Sequence, residues 1–143
     1  MNTDIDQAVA RYLTWWGSIT PDTVDQIADL ASPEMRFRDP FNDVLGAEET
    51  NAVFRRMFDH LDDVRFVFDE RLVHGPLAFV TWTMTFVPKR GPKRTRVIEG
   101  ASRLRFDDAG RVLEHRDYWD ASLALEGIPV MGWIVKSVRR RLG

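Results

Sequence analysis

The residues from Leu77 to Val87 constrain the fold most strongly, because their side chains alternate strictly between two kinds. One parity is bulky and apolar, and it consists of Val80, Trp82, Met84 and Phe86. The other parity holds three threonines. Successive side chains of a β-strand point to opposite faces. The segment therefore predicts a strand whose apolar face is covered by another layer of the protein.

The rest of the second half shows the same character. Further strands are predicted over residues 64–73, 95–106 and 111–120. In the first of these, Phe66, Phe68 and Leu72 are expected to share one face. A turn at 74–76, a basic loop over 88–94 and a turn at 107–110 connect the strands. Connections this short favour antiparallel pairing.

The first half is mainly helical. Apolar residues at three- and four-residue spacing predict a helix over 4–19, a second from Pro21 to Ala31 and a third over 47–61. A short strand over 35–41 precedes the third helix, and Pro40 should place it at a sheet edge or end it. Helices followed by antiparallel strands predict an α+β fold with helices on one face of a curved sheet.

Composition excludes several functional classes. A chain of 143 residues fits one domain, here 1–143, and a net charge of -2 gives no field that favours nucleic acid. The absence of cysteine excludes disulfides and thiol catalysis. The three histidines lack metal-ligand spacing, and no glycine-rich phosphate loop occurs, so no metal or cofactor is expected. A polar N-terminus without a long apolar run predicts a cytoplasmic protein.

The segment from His115 to Asp120 is the strongest functional signal. It continues a predicted strand, so His115, Asp117 and Trp119 share one face. A histidine and a carboxylate two residues apart could pair and act as acid or base near neutral pH. The alternatives are a buried polar pair that satisfies itself, or an interface pair if the parity is shifted by one residue.

Three segments in this order resemble a known family. They are Arg11-Tyr12, then Phe37-Arg38-Asp39-Pro40 followed by Gly46, and then residues 102–112 leading into 115–120. With them the chain resembles, over about residues 5–126, the NTF2-like superfamily, which includes ketosteroid isomerases and SnoaL-type polyketide cyclases. The resemblance implies a cone-shaped α+β fold, a sheet wrapped around the N-terminal helices and a homodimer formed through the outer sheet face. This superfamily includes enzymes, carriers and scaffolds alike.

The resemblance also implies roles for individual residues. Asp39 matches the general base of the isomerases, and Tyr12 matches the tyrosine that donates a hydrogen bond to the substrate oxygen. Ser102 stands where the isomerases carry a protonated aspartate, which is a departure from their pattern. Asp120 lies where SnoaL-like cyclases carry an acid/base aspartate. The alternatives are that Asp39 and Asp120 cap turns and that Tyr12 belongs to the core.

A pocket follows from these assignments. Its expected apolar walls are Trp16, Phe54, Trp82, Met84, Phe86, Leu104, Phe106 and Trp119. The function expected is a cofactor-independent isomerase or cyclase that moves a proton on a small apolar carbonyl compound, such as a steroid, polyketide or lipid derivative. One alternative is a carrier with the same pocket and no chemistry. Another is a dimeric scaffold whose cone is filled by its own side chains.

The C-terminal residues 129–142 form a second distinctive segment. Apolar residues at helical spacing alternate there with one lysine and three arginines, which predicts a basic amphipathic helix. Such a helix could make weak contact with an anionic membrane surface. It could equally cover the mouth of the cone or a dimer partner, with its basic end in solvent.

Overall fold

The computed structural model describes residues 4–122. The helical elements are α1 (Ile5–Gly17), a 3-10 turn (Val24–Gln26), α2 (Ile27–Leu30) and α3 (Ala47–His60). The strands are β1 (Ala31–Arg38), β2 (Asp43–Leu45), β3 (Leu61–His74), β4 (Leu77–Pro88), β5 (Arg96–Phe106) and β6 (Val112–Trp119).

All six strands form one curved sheet that does not close into a barrel. The strand order is β2-β1-β6-β5-β4-β3, in which β1 and β6 run parallel and every other pair is antiparallel. Helices α1 and α3 pack against the sheet, and the buried core lies between them and its concave face. The predicted α+β architecture with an NTF2-like cone is confirmed.

Helix α1 begins at a clear capping signal and buries one face. The carboxylate of Asp4 accepts hydrogen bonds from the backbone N–H groups of Asp6 and Gln7, which satisfies donors that the first turn leaves free. Tyr12 and Trp16, four residues apart, both lie on the buried face. The helix therefore presents a phenol and an indole to the concave side of the sheet.

The predicted second helix is largely wrong. Only a 3-10 turn and the four-residue α2 form there, and β1 already begins at Ala31. Ala31 pairs with Val112 of β6, so sheet pairing outweighs the local helical pattern. Pro33 lies inside β1, where the register with β6 is irregular, and β1 ends before Pro40 as an internal strand rather than at the sheet edge.

Leu72 also departs from expectation. Phe66 and Phe68 pack against the core, but Leu72 is 74% exposed. The register of β3 with β4 shifts between Phe68 and Arg71. A bulge adds one residue to one strand and so reverses which face the following side chains occupy.

The predicted basic helix over 129–142 lies outside the described residues. Within residues 4–122, no helix is long and apolar enough to cross a membrane.

Candidate functional site

The register of three strands brings the candidate residues to one region of the concave face. On β6, His115 stands beside Leu104 of β5, and Asp117 stands beside Ser102. On the other side of β6, Phe37 of the parallel strand β1 pairs with His115. Side chains directly opposite each other across a pair of strands lie on the same face. The sequence parity of His115 and Asp117 therefore places both of them toward the helices.

A continuous chain of hydrogen bonds runs across this face. The indole Nε1 of Trp82 lies 2.8 Å from Ser102 Oγ, and Ser102 Oγ in turn contacts Asp117 Oδ1. The same Oδ1 lies 2.6 Å from His115 Nε2. On its other side, His115 Nδ1 lies 2.7 Å from the hydroxyl of Tyr12. Five side chains from α1, β4, β5 and β6 are thereby joined in one network.

The chemistry of the groups fixes the direction of these bonds. An indole N–H can only donate, so Ser102 accepts from Trp82 and directs its own hydrogen to Asp117. Because Asp117 Oδ1 accepts, the nearby Nε2 of His115 is its second donor. A neutral imidazole that donates through Nε2 accepts through Nδ1. With a neutral imidazole at position 115, the hydroxyl hydrogen of Tyr12 is therefore directed to His115 rather than to a ligand.

Burial separates Asp117 from the rest of the network. The side chain of His115 has no exposure to solvent, and Tyr12, Ser102 and Trp82 are all buried. Asp117 retains 11% exposure of its side chain. Its Oδ1 receives two hydrogen bonds, whereas its Oδ2 receives none from the described residues. Asp117 Oδ2 is therefore a fixed carboxyl oxygen with a free lone pair beside the solvent-accessible edge.

The surroundings of the network are aromatic. The ring centroids of Trp16 and Phe37 lie 4.6 Å and 5.0 Å from that of His115. Burial, with the negative charge of Asp117 as a second cause, raises the pKa of Tyr12 well above its ordinary value. Tyr12 is consequently a neutral hydrogen-bond donor throughout the physiological pH range.

Gly100 makes room for the first member of the chain. Gly100 of β5 pairs with Trp82 of β4, and a Cβ added at Gly100 would lie 2.6 Å from two atoms of the indole ring. The indole therefore crosses the strand directly over the glycine and reaches Ser102, two residues further along β5. A larger residue at position 100 would displace the ring and break its bond to Ser102.

Asp39 follows β1 and is held by a tight turn. Its Oδ1 accepts from the backbone N–H groups of Phe41 and Asn42, at 2.8 Å and 2.6 Å. The side-chain amide of Asn42 reaches both oxygens of Asp39 at 3.0 Å. Asp39 therefore caps a turn, as the alternative interpretation of the sequence predicts.

Asp39 is also the neighbour of Asp117. Arg38 pairs with Arg116 in the parallel β1–β6 ladder, so Asp39 is the next residue at the level of Asp117. Burial raises the pKa of Asp39 to about 6, and the negative charge of Asp117 contributes to this rise. Hydrogen bonds from Phe41 and Asn42 lower it in part. A carboxyl group with this pKa can gain or lose a proton close to neutral pH.

Asp120 lies apart from this group. It is exposed, and its Oδ1 accepts from the backbone N–H and the hydroxyl of Ser122. These hydrogen bonds lower the pKa of Asp120. Its geometry is that of a turn-capping carboxylate, and the structure does not bring it together with Asp39, His115 and Asp117.

The expected pocket walls fall into two groups. Seven of them are buried and pack against one another in the core: Trp16, Phe54, Trp82, Met84, Phe86, Leu104 and Phe106. The eighth, Trp119, is only partly buried, and its ring lies 5.5 Å from that of Phe41. Trp119 and Phe41 thus lie near the end of the sheet where Asp39 and Asp117 stand.

Sequence reasoning missed three features of this region. Trp82 is predicted from the sequence only as an apolar wall, yet its N–H begins the hydrogen-bond chain. Asn42 and Gly100 carry no predicted role at all. The Asp-Pro-Phe-Asn sequence at 39–42 is a turn signal that could have indicated Asn42. No local signal indicates Gly100, because its importance depends on which residue pairs with it across the sheet.

Within residues 4–122, no group of three or more histidine, aspartate or glutamate side chains is arranged to hold a metal ion. The groups that the described site offers for chemistry are carboxyl groups, an imidazole and hydroxyl groups.

Comparison with solved structures places this fold among known proteins. A proposed SnoaL-like polyketide cyclase from Jannaschia sp. is 18% identical with a TM-score of 0.76, covering 89% of this chain and 92% of its own. A Catenulispora acidiphila protein with a ketosteroid isomerase-like fold, in complex with trimethylamine, is 17% identical with a TM-score of 0.70, covering 91% and 97%.

A further similar structure is an LEH-like epoxide hydrolase of M. tuberculosis, which is 19% identical with a TM-score of 0.68 and covers 96% of this chain and 98% of its own. At these identities the likeness concerns the fold alone. No curated protein matches the chain significantly. The model of the SnoaL-like domain family matches residues 9–115, which include Tyr12, Asp39, Ser102 and His115. The chain therefore belongs to the SnoaL-like domain family.

Proposed function

We propose that this protein is a cofactor-independent enzyme that moves a proton within a small, mostly apolar compound carrying a carbonyl or hydroxyl group. The reaction class is isomerisation or cyclisation, or a related elimination or hydration. The observation that carries the proposal is the carboxyl group of Asp117. One of its oxygens is held by His115 and Ser102, and the other, in a side chain that keeps 11% exposure, has no hydrogen bond from residues 4–122.

Asp117 is the proposed general base. An effective base needs a fixed lone pair within reach of the substrate proton, and Oδ2 meets the first condition because Oδ1 is held at two points. Removing a proton from the carbon beside a carbonyl produces an enolate. The proton can return at another carbon, which isomerises the substrate, or the enolate can attack a second carbonyl carbon, which closes a ring.

Asp39 is the proposed second carboxyl group. Because its pKa is about 6, a minor part of Asp39 is protonated at neutral pH, and this form is the proposed proton donor to the developing oxyanion. The two residues are neighbours across the β1–β6 ladder, so one substrate could contact both. Tyr12 then acts through His115 rather than by touching the substrate, because its hydroxyl hydrogen is directed to His115.

The character of the site supports an apolar substrate. Trp119 and Phe41 lie beside the two carboxyl groups, and the remaining predicted wall residues belong to the buried, mainly aromatic core. Apolar surfaces with a few convergent polar groups are typical of sites for small organic ligands. Proteins of similar fold are named as a polyketide cyclase and an epoxide hydrolase, and both names denote chemistry on small organic compounds.

Hydrogen–deuterium exchange at carbon tests the proposal while the substrate is still unidentified. The full chain would be incubated in D2O with a panel of steroid-, polyketide- and lipid-derived ketones, and deuterium uptake beside each carbonyl measured by NMR. We expect uptake with at least one compound and a loss of about 10²–10⁴-fold in Asp117→Asn. The matched control is Asp120→Asn, which removes an exposed carboxylate outside the site.

A non-catalytic carrier is the alternative. It would bind members of the same panel with no deuterium uptake above that of Asp117→Asn, and Asp117→Asn would leave ligand binding intact. That combination of results would overturn the enzymatic proposal. Rapid exchange that Asp120→Asn also abolishes would contradict the assignment of Asp117 as the base.

We propose in addition that the protein forms a homodimer through the outer face of the sheet. The support is the set of large apolar residues exposed on that face, which are Leu45, Val67, Leu72, Phe79, Val97 and Tyr118. Large exposed apolar patches commonly mark interaction surfaces. Light scattering after size-exclusion chromatography should show twice the chain mass, and Phe79→Glu should halve it. A monomeric wild-type protein would contradict this proposal.

A further inference from the structure

Arg96 is an arginine on the concave face of the sheet. It is the first residue of β5 and pairs with Phe86 of β4, which is buried in the core. Opposed residues of an antiparallel pair share a face, so Arg96 lies on the same side as Ile98 and Ser102. β6 ends opposite Gly100, so this first part of β5 pairs with β4 alone.

The guanidinium of Arg96 lacks a partner among residues 4–122. Its Nε is buried without a hydrogen bond, and no acidic side chain of the described residues forms an ion pair with it. Arg38 on the outer face also has a buried Nε without a hydrogen bond, but its Nη2, like the Nη1 of Arg103, pairs with Glu114. A buried N–H without a partner is costly, and in native proteins it commonly indicates a ligand or water.

Arg96 and the carboxyl groups lie far apart on the same face of the sheet. Ser102, which contacts Asp117, is six residues further along β5, which corresponds to about 20 Å of strand. Between them the concave face presents Ile98, Gly100 and the ring of Trp82. The concave face thus carries acidic groups at one level, an apolar stretch next to it, and a cationic group near its end.

We propose that Arg96 determines ligand specificity by binding an anionic group, in the first instance a carboxylate, on the apolar ligand of the proposed reaction. Arginine presents a planar fork of donors that matches a carboxylate in two-point geometry. The inference rests on the proposed function for the position of the reacting end, but it concerns recognition rather than chemistry. The sequence pattern alone does not distinguish Arg96 from the exposed basic residues of the 88–94 loop.

Binding of dodecanoate and of methyl dodecanoate, measured by calorimetry on the full chain, tests the proposal. The two probes share an apolar chain and differ in the charge of one end. We expect dodecanoate to bind more tightly, and Arg96→Gln to weaken dodecanoate by at least about tenfold while leaving the ester within about twofold. Arg94→Gln is the matched control, because it removes an equal charge from a fully exposed neighbour.

Three results would overturn the proposal. The first is a wild-type protein that binds dodecanoate no more tightly than the ester, or that binds neither probe. The second is unchanged dodecanoate binding in Arg96→Gln, as expected if water satisfies its Nε. The third is a loss in Arg94→Gln as large as that in Arg96→Gln, which would indicate a long-range charge effect. Unchanged thermal unfolding of Arg96→Gln shows that the variant is folded.

The inference and the proposed function can fail separately. Asp117→Asn should retain dodecanoate binding, because the recognition group is Arg96. If Asp117→Asn leaves proton exchange intact but Arg96→Gln still abolishes the preference for the carboxylate, the catalytic assignment is wrong and the recognition assignment stands.

Discussion

Strand β6 carries a charged network on each of its faces, and the two differ in their exposure to water. On the outer face, Glu114 pairs with Arg38 at 3.0 Å and with Arg103 at 2.9 Å, and all three side chains retain about a fifth to a quarter of their exposure. On the inner face, Asp117 and His115 approach to 2.6 Å, and His115 has no exposure.

The difference shows how one strand can carry both a solvated surface and a shielded site. Partly exposed ion pairs are screened by water and contribute little to stability. The inner network is shielded from water, so each of its groups must find a partner within the protein. Among the described residues, each network leaves one carboxyl oxygen without a hydrogen bond, but Asp117 Oδ2 belongs to a carboxylate held by buried groups and Glu114 Oε2 to a partly solvated ion pair. The two faces should therefore respond very differently to the loss of one member.

The largest effect is expected at the centre of the inner network. His115→Ala removes partners from Tyr12 and Asp117 together and leaves a cavity among aromatic rings. We expect the free energy of unfolding to fall by about 3–5 kcal/mol, measured by urea denaturation. His74→Ala, at an exposed histidine, is the control and should have almost no effect. A similar loss in both variants would remove the distinction between the faces.

Asp39 should give a smaller, pH-dependent effect. Its pKa rises from 3.8 to about 6 on folding, so near pH 5 the folded protein holds a proton that the unfolded chain has released. Stability should thus fall as pH rises from about 4 to about 6 and then level off. Because water partly screens Asp39, we expect the free energy of unfolding to fall by about 1–2 kcal/mol over this pH range. Subtracting the urea-unfolding profile of Asp39→Asn should isolate this fall, and a rise over that range would contradict the account.

The smallest effect is expected on the outer face. Glu114→Gln removes the charge that Arg38 and Arg103 share. Because these side chains are partly solvated, the loss should not exceed about 1 kcal/mol and should shrink further in high salt. Urea denaturation at low and high salt measures both quantities. A salt-independent loss as large as that of His115→Ala would show that the two faces are equivalent.

Much of the fold was predictable because strand periodicity is a local signal. The alternation from Leu77 to Val87 predicts β4 and its buried face correctly, with Trp82, Met84 and Phe86 inside. Leu72 is misplaced because a bulge depends on the register between two strands. The prediction of the second helix fails because Ala31 pairs with Val112, far along the chain, and local propensity carries no information about that partner.

The candidate site was likewise predictable only where the signal lies within one strand. The shared face of His115 and Asp117 follows from parity within one strand. Their partners Tyr12 and Ser102 lie on α1 and β5, so the contacts depend on packing that the sequence does not display. The sequence also does not indicate that Arg96 lies on the concave face. Arg96 is the first residue of a strand that follows a basic loop, so in the sequence it looks like one more basic residue of that loop.

The tautomer of His115 tests the central claim most directly, because both arms of the chain, one from Trp82 and one from Tyr12, must donate toward Asp117. The protein contains three histidines, so ¹⁵N-histidine labelling gives a simple NMR spectrum, and His115→Gln assigns the relevant signals. The account predicts a hydrogen on Nε2 and none on Nδ1 at neutral pH, in slow exchange with water. A hydrogen on Nδ1 with Nε2 free, or rapid exchange like that of an exposed histidine, would contradict it.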